Sequence, residues 1–262
     1  MSKEIVILGG ARTAIGTFGG ALADTPAIDL GTVAAKAALE RSQVDPDQIG
    51  HVAFGHVINT EPRDMYLSRV VAMQAGLPDS VPAMNVNRLC GSGVQAIVSV
   101  AQSLMLGDAD FGLAGGAENM SRAPYILPSA RWGQKMGDVR SLDMLVGTLT
   151  CPFGSGHMGV TAENVGAEHK VSRADMDEFA LQSQQRAAAA IDAGYFAGQI
   201  APVDVKVRRD TVAFEVDEHP KPTTADALAG LRPVFKKDGS VTAGNASGIN
   251  DGAAAIFCSF SP

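Results

Sequence analysis

The sequence predicts an α/β fold: a layered, mainly parallel mixed sheet in βαβαβαββ order, with one α-rich insertion. Three observations predict it. Short apolar runs ended by glycine alternate with Ala- and Leu-rich stretches through the first 119 residues, and such alternation means strands joined by crossover helices. The alternation breaks near residue 120 into Met-, Pro- and Gly-bearing sequence of weak periodicity. An apolar run at residues 253–257 then supplies one more strand.

Each element has its own signal. Residues 5–8 are an apolar run closed by Gly9-Gly10, a buried strand. Residues 29–41 have helical spacing, 52–57 read as a strand, and 66–75 form a helix closed by Gly76. Residues 83–87 are a third strand. Cys90 then opens a helix that reaches about Leu106, with Gly107 at its end. Residues 111–114 are a fourth strand closed by Gly115-Gly116. Ser172-Arg173-Ala174-Asp175 is a capping box for a helix running to about Ala193 and stopping at Gly194. Residues 201–224 alternate between Pro punctuation, an exposed hairpin. The expected organisation is therefore 1–119 as the first part of an α/β domain, 120–245 as an inserted loop domain, and 246–262 as the last strand with its tail.

Composition narrows the function. A net charge of -7 argues against a general nucleic-acid binder, which carries a basic stripe. Three cysteines make no disulfide framework and favour a reduced, cytoplasmic setting. The five histidines never combine with them at metal-site spacing, so no metal is expected. The opening residues run straight into a strand, so no signal or transit peptide is expected, and nothing approaches the length of a membrane span.

The chemistry concentrates at Asn87-Arg88-Leu89-Cys90-Gly91-Ser92-Gly93. A strand enters, a tight turn follows and a helix leaves. A helix N-terminus favours an anion, hence a thiolate nucleophile. Gly91 and Gly93 permit close backbone approach, and N–H groups there suit an oxyanion. Two readings of Cys90 stay open on these residues alone: an activated thiolate or a small buried hydrophobe. Ser92 is a rival nucleophile but lacks the G-x-S-x-G spacing. Gly9-Gly10-Ala11 hints at a dinucleotide loop and an oxidoreductase, yet Ala stands where the second glycine belongs.

This segment closely resembles the thiolases, the acetyl-CoA acetyltransferase and β-ketothiolase family. The likeness extends through Ala11-Arg12-Thr13-Ala14-Ile15-Gly16, Gly115-Gly116-Ala117-Glu118-Asn119-Met120-Ser121, His157-Met158-Gly159, Thr161-Ala162-Glu163-Asn164 and residues 242–255, in family order. It implies an acyl-CoA acyltransferase in which Cys90 attacks a thioester and carries the acyl group. The reaction is acetyl-CoA condensation to acetoacetyl-CoA, or thiolysis of a 3-ketoacyl-CoA. Coenzyme A thioester is then substrate and no other cofactor is implied. By position, Leu149, His157, Met158, Ala243 and Ser247 would line the CoA tunnel, with Lys221 near its nucleotide end. Lys206, Arg208 and Arg209 are either a phosphate contact or a solvated hairpin. The resemblance further implies a homodimer or homotetramer, with the strand before Cys90 near the dimer interface and residues 123–141 in a tetramer-forming loop.

The sequence also departs from the family. Thiolases carry a second domain bearing Gly-His-Pro, Asn-Glu-Ala-Phe and Cys-x-Gly-Gly-Gly motifs, and none of these occurs in the 262 residues. Cys258 sits in a strand-like run and reads as a core cysteine, not a substitute. Residues 257–262 are expected to leave the family pattern. Two functions therefore remain: a thiolase-type acyltransferase, incomplete in this chain, or a non-catalytic CoA-binding or subunit-interaction remnant.

Overall fold

The structure is a computed structural model and describes residues 4–261. Contacts divide the chain into two units. The first holds the residues up to Arg122, Ala197–Glu218 and the residues from Asn250 on; the second holds Ala123–Phe196 and His219–Ile249.

The first unit is the expected α/β layer. In chain order it contains β1 (Ile5–Arg12), α1 (Ala27–Ser42), β2 (Ile49–Gly55), α2 (Leu67–Gln74), β3 (Ala83–Val86), α3 (Ser92–Leu106) and β4 (Phe111–Asn119). A hairpin of β5 (Val203–Val207) and β6 (Asp210–Phe214) follows, then β7 (Asn250–Phe260). The main sheet has the order β1-β7-β4-β2-β3. β4, β2 and β3 run parallel, whereas β7 lies antiparallel between β1 and β4. Period-two alternation sends Val52 and Phe54 of β2 into the core under α1 and α2. Ala53 faces the opposite core, with Ala96, Val100 and Leu104 of α3 and with Cys258.

Four expectations need correction. First, Gly9-Gly10 and Gly115-Gly116 do not end strands; they lie inside β1 and β4. A Cβ on Gly115 would stand 2.6 Å from the Phe54 ring, and one on Gly9 would stand 2.9 Å from the Ser42 backbone. Close packing, not a turn, requires these glycines. Second, β7 spans 11 residues and continues through Phe257, Cys258, Ser259 and Phe260, pairing on both sides.

Third, the hairpin is exposed over residues 206–213 as expected, but it belongs to the first unit and not to the insertion. Val203 and Val205 are buried in the first unit's core. Ala201 N–H donates to Arg12 O at 2.7 Å, and Arg12 grips Asp217 with two nitrogens at 2.7 and 2.9 Å. The second unit is therefore interrupted by residues 197–218, which contacts assign to the first. Fourth, Leu89–Leu106 has a mean hydropathy of 1.5 and, by length and composition, is long and apolar enough to cross a membrane. In the structure Ala96, Val100 and Leu104 of this segment pack on the sheet, whereas Leu89, Val94, Val98, Met105 and Leu106 are exposed.

The second unit contains four helices: α4 (Met144–Thr148), α5 (Met158–Glu168), α6 (Arg173–Asp192) and α7 (Ala225–Ala229). Each is capped from sequence. Asp143 accepts from Leu145 N–H at 2.8 Å, and Thr224 accepts from Ala227 N–H at 3.2 Å. The predicted capping box opens α6: Ser172 Oγ accepts from Asp175 N–H at 3.1 Å, while the Asp175 carboxylate accepts from Ser172 N–H at 3.0 Å.

Candidate functional site

The Cys90 turn is built at the C-terminal edge of the parallel strands, where α/β sheets place ligand sites. β3 ends at Val86, and Leu89 adopts a positive φ of 48° before Cys90. The helix begins two residues later than predicted: Gly91 is the N-cap and Ser92 the first helical residue. Cys90 is exposed, as are Val94 and Leu106 on the same helix, so α3 is buried on one face only. Ser92 is not free to act as a nucleophile. Its Oγ accepts from Arg88 N–H at 2.9 Å and donates to Leu89 O at 2.6 Å, closing the turn around Cys90. Gly55, at the end of β2, touches this turn; a Cβ there would stand 2.7 Å from the Ser92 carbonyl carbon.

Three titratable groups sit at the same edge of the sheet. His56 follows β2 directly, and its Nδ1 lies 2.8 Å from Ala117 O and 3.4 Å from the Glu118 carboxylate. Its Nε2 lies 3.8 Å from Asp64, which is fully buried. Glu118 accepts from the N–H groups of Val57 at 2.9 Å and Ile58 at 3.1 Å. Burial pushes the Glu118 carboxyl above the usual carboxylate range, and His56 and those two N–H groups partly offset the shift. Sequence reading missed this cluster, since its members are 54 residues apart between Asp64 and Glu118.

The remaining predicted residues lie in the second unit. His157 caps α5, its Nδ1 accepting from Gly159 N–H at 3.1 Å. Met158 N–H donates to Leu149 O at 2.8 Å, which brings Leu149, His157 and Met158 together. They flank a tight hairpin of Thr150–Cys151 and Gly156–His157. In that hairpin the Ser155 hydroxyl, then the N–H groups of Phe153 and Ser155, hold the Cys151 thiol below its usual range. Phe235 stacks on His157, ring centroids 5.0 Å apart and 18° from parallel.

Ala243 and Ser247 are exposed on one irregular loop, which Val234 N–H to Val241 O, at 3.0 Å, ties to the Phe235 segment. Lys221 N–H donates to Gln184 Oε1 at 2.9 Å beside a groove of ≈ 290 Å³ between Gln185, Ile191 and Pro222. Phe235 and Gln184 were not found from sequence. Neither belongs to a motif, and only the folded chain brings them to their partners. Cys90 belongs to the first unit.

Comparison with known proteins identifies the arrangement. The family described as "Thiolase, N-terminal domain" matches residues 5–260. The chain belongs to the thiolase family. The match includes Phe257 to Phe260, so the expected departure from the thiolase pattern at residue 257 does not hold up to Phe260. Beta-ketothiolase BktB of Cupriavidus necator is 57% identical over 258 residues, covering 98% of this chain and 66% of the relative. A crystal structure of human mitochondrial 3-ketoacyl-CoA thiolase in complex with CoA matches with a TM-score of 0.94 at 43% identity, covering 99% of this chain and 68% of that one. Bacillus anthracis acetyl-CoA acetyltransferase matches with a TM-score of 0.95 at 41% identity, covering 99% and 66%. The chain thus spans about two thirds of the length of these thiolases.

Proposed function

We propose that this chain carries the nucleophile and the CoA cradle of an acyl-CoA acyltransferase. The observation that carries the reading is the exposed Cys90 on a turn that Ser92 closes beneath it. In the first step the Cys90 sulfur attacks the thioester carbonyl. A carbon–sulfur bond forms to Cys90, the bond to the CoA sulfur breaks, and CoA leaves as a thiolate that takes up a proton. N–H groups at the start of α3 suit the oxyanion that develops.

Leu149, His157, Met158 and the Phe235 ring would wall the pantetheine arm; Ala243 and Ser247 would flank it. Lys221, beside its groove, would meet the phosphate end. The acyl group then passes to the enolate of acetyl-CoA, or in thiolysis arises from a 3-ketoacyl-CoA. A homodimer or homotetramer in the cytoplasm belongs to the same reading, and sedimentation of the chain checks the assembly.

Intact-mass spectrometry after incubation with acetyl-CoA tests the step. The expected result is one acetyl adduct that Cys90→Ser removes. CoA binding with no adduct favours a binding module instead, and an adduct that survives Cys90→Ser overturns the assignment of the nucleophile.

A further inference from the structure

We propose that Asn245, clamped by Asp177, is a positioning residue that sets the ligand-facing shape of the Ala243–Ser247 loop. This rests on the CoA reading above. Residues 240–248 have no regular secondary structure, so side-chain bonds must hold their shape.

Asn245 makes three such bonds. Its Oδ1 accepts from Thr242 N–H at 2.8 Å, and its Nδ2 donates to Ser240 O at 3.0 Å and to Asp177 Oδ1 at 2.8 Å. Asp177 is buried on α6, and its other oxygen accepts from Arg173 Nε at 2.7 Å. Arg173 also donates to Leu228 O at 2.7 Å and Leu231 O at 3.0 Å, fixing the end of α7. The buried Glu163 carboxylate on α5 takes the N–H groups of Ser240 and Val241, both at 2.9 Å.

The anchoring helices are those that carry the other predicted ligand residues. α5 begins with Met158 behind the His157 cap, and α6 bears Gln184, the partner of Lys221. Thr242 is buried and Asn245 bonds inward, while Ala243 and Ser247 are exposed. The clamp therefore fixes where two outward residues stand relative to α5 and α6. That placement is what a long, flexible substrate arm would read.

The test is Asn245→Asp in the full chain. The substitution is isosteric and sets a carboxylate against both Asp177 and Ser240 O, so the clamp opens at high pH and closes in part when the pair shares a proton. CoA affinity is measured by calorimetry at pH 8 and pH 5.5, each relative to wild type at that pH. Amide exchange of residues 240–248 is followed in parallel without ligand. The expected result is a loss of about 10-fold or more at pH 8 that is smaller at pH 5.5, with loop exchange rising and falling in step.

A purely structural role would lower the melting temperature without this pH-reversible affinity. If Asn245→Asp folds poorly, the exchanged pair Asn245→Asp with Asp177→Asn restores the bond between residues 177 and 245 but leaves Ser240 O without its donor, and affinity at pH 8 should return part of the way to wild type. Loop exchange that rises while relative CoA affinity stays constant overturns the positioning role, and unchanged exchange overturns the clamp. A wild-type chain that binds no CoA overturns the ligand reading itself. The exchange data, taken without ligand, tell that failure apart from failure of the clamp.

Discussion

Gly55→Ala is the sharpest perturbation of the Cys90 turn. The added Cβ would lie 2.7 Å from the Ser92 carbonyl carbon and 2.8 Å from both Gly93 N and Ser92 Cβ. Carbon contacts settle at about 3.5–4.0 Å, so β2 and the start of α3 must separate by about 1 Å. Two of the three atoms are backbone, so no rotamer change relieves the clash. Overpacking of this kind costs about 1–3 kcal/mol, a fall in melting temperature of about 2–12 °C for a chain of this size. A 1 Å displacement of reacting groups can lower a reaction rate by about 100-fold.

The assay pairs thermal unfolding with iodoacetamide labelling of Cys90, read by peptide mass spectrometry, and with the acetyl-CoA adduct. Gly93→Ala is the control. Its Cβ meets nothing within 4 Å, and replacing a helical glycine should hold or raise stability. A Gly55→Ala protein with wild-type melting temperature and wild-type Cys90 labelling would refute the reasoning.

Two further predictions concern pH and thiol reactivity. Burial pushes the Asp217 carboxyl up, but Arg12 and the Ile15 N–H outweigh it and hold the group below the usual carboxylate range. Its stabilising contribution is therefore full above the unfolded value of about 3.9 and is lost as pH falls through the lower folded value. Asp217→Asn should melt below wild type at pH 7, with the gap closing on acidification toward pH 3; a constant gap would contradict the linkage. Among the other cysteines, the lowered Cys151 thiol should label in the native protein at a lower pH than an ordinary thiol. Buried Cys258, its thiol pushed up by burial, should label only on unfolding. A Cys151 that labels in the native chain only at the pH of an ordinary thiol would show that the hairpin does not favour the thiolate.

The layers were legible where local pattern decides structure. Apolar runs located β1 to β4, and the Ser172-Asp175 box located the start of α6. Misreadings arose where a distant residue decides. Gly115 looks like a strand end until Phe54, 61 residues earlier in sequence, is found against it. The hairpin reads as part of the insertion until Val203 and Val205 are found in the first unit's core. β7 gives a weak outward pattern because it is covered on both faces and paired on both edges, and its end was placed too early for that reason.

The candidate site divides in the same way. Cys90, His157 and Ser247 stand in recognisable strings, whereas the groups that fix their surroundings do not. The two loops use one device. In the Cys90 turn, Ser92 lies two residues after Cys90 and turns its hydroxyl onto Arg88 and Leu89. In the 240–248 loop, Asn245 lies two residues after Ala243 and two before Ser247, and turns its amide onto Thr242, Ser240 and Asp177. In each, a short polar side chain satisfies the loop's own backbone and leaves its neighbour exposed. Sequence alone assigns Ser92 a rival nucleophilic role because a hydroxyl beside a thiol looks like chemistry. Its two hydrogen bonds make it part of the scaffold instead, and they leave Cys90 as the outward-facing nucleophilic side chain of that turn.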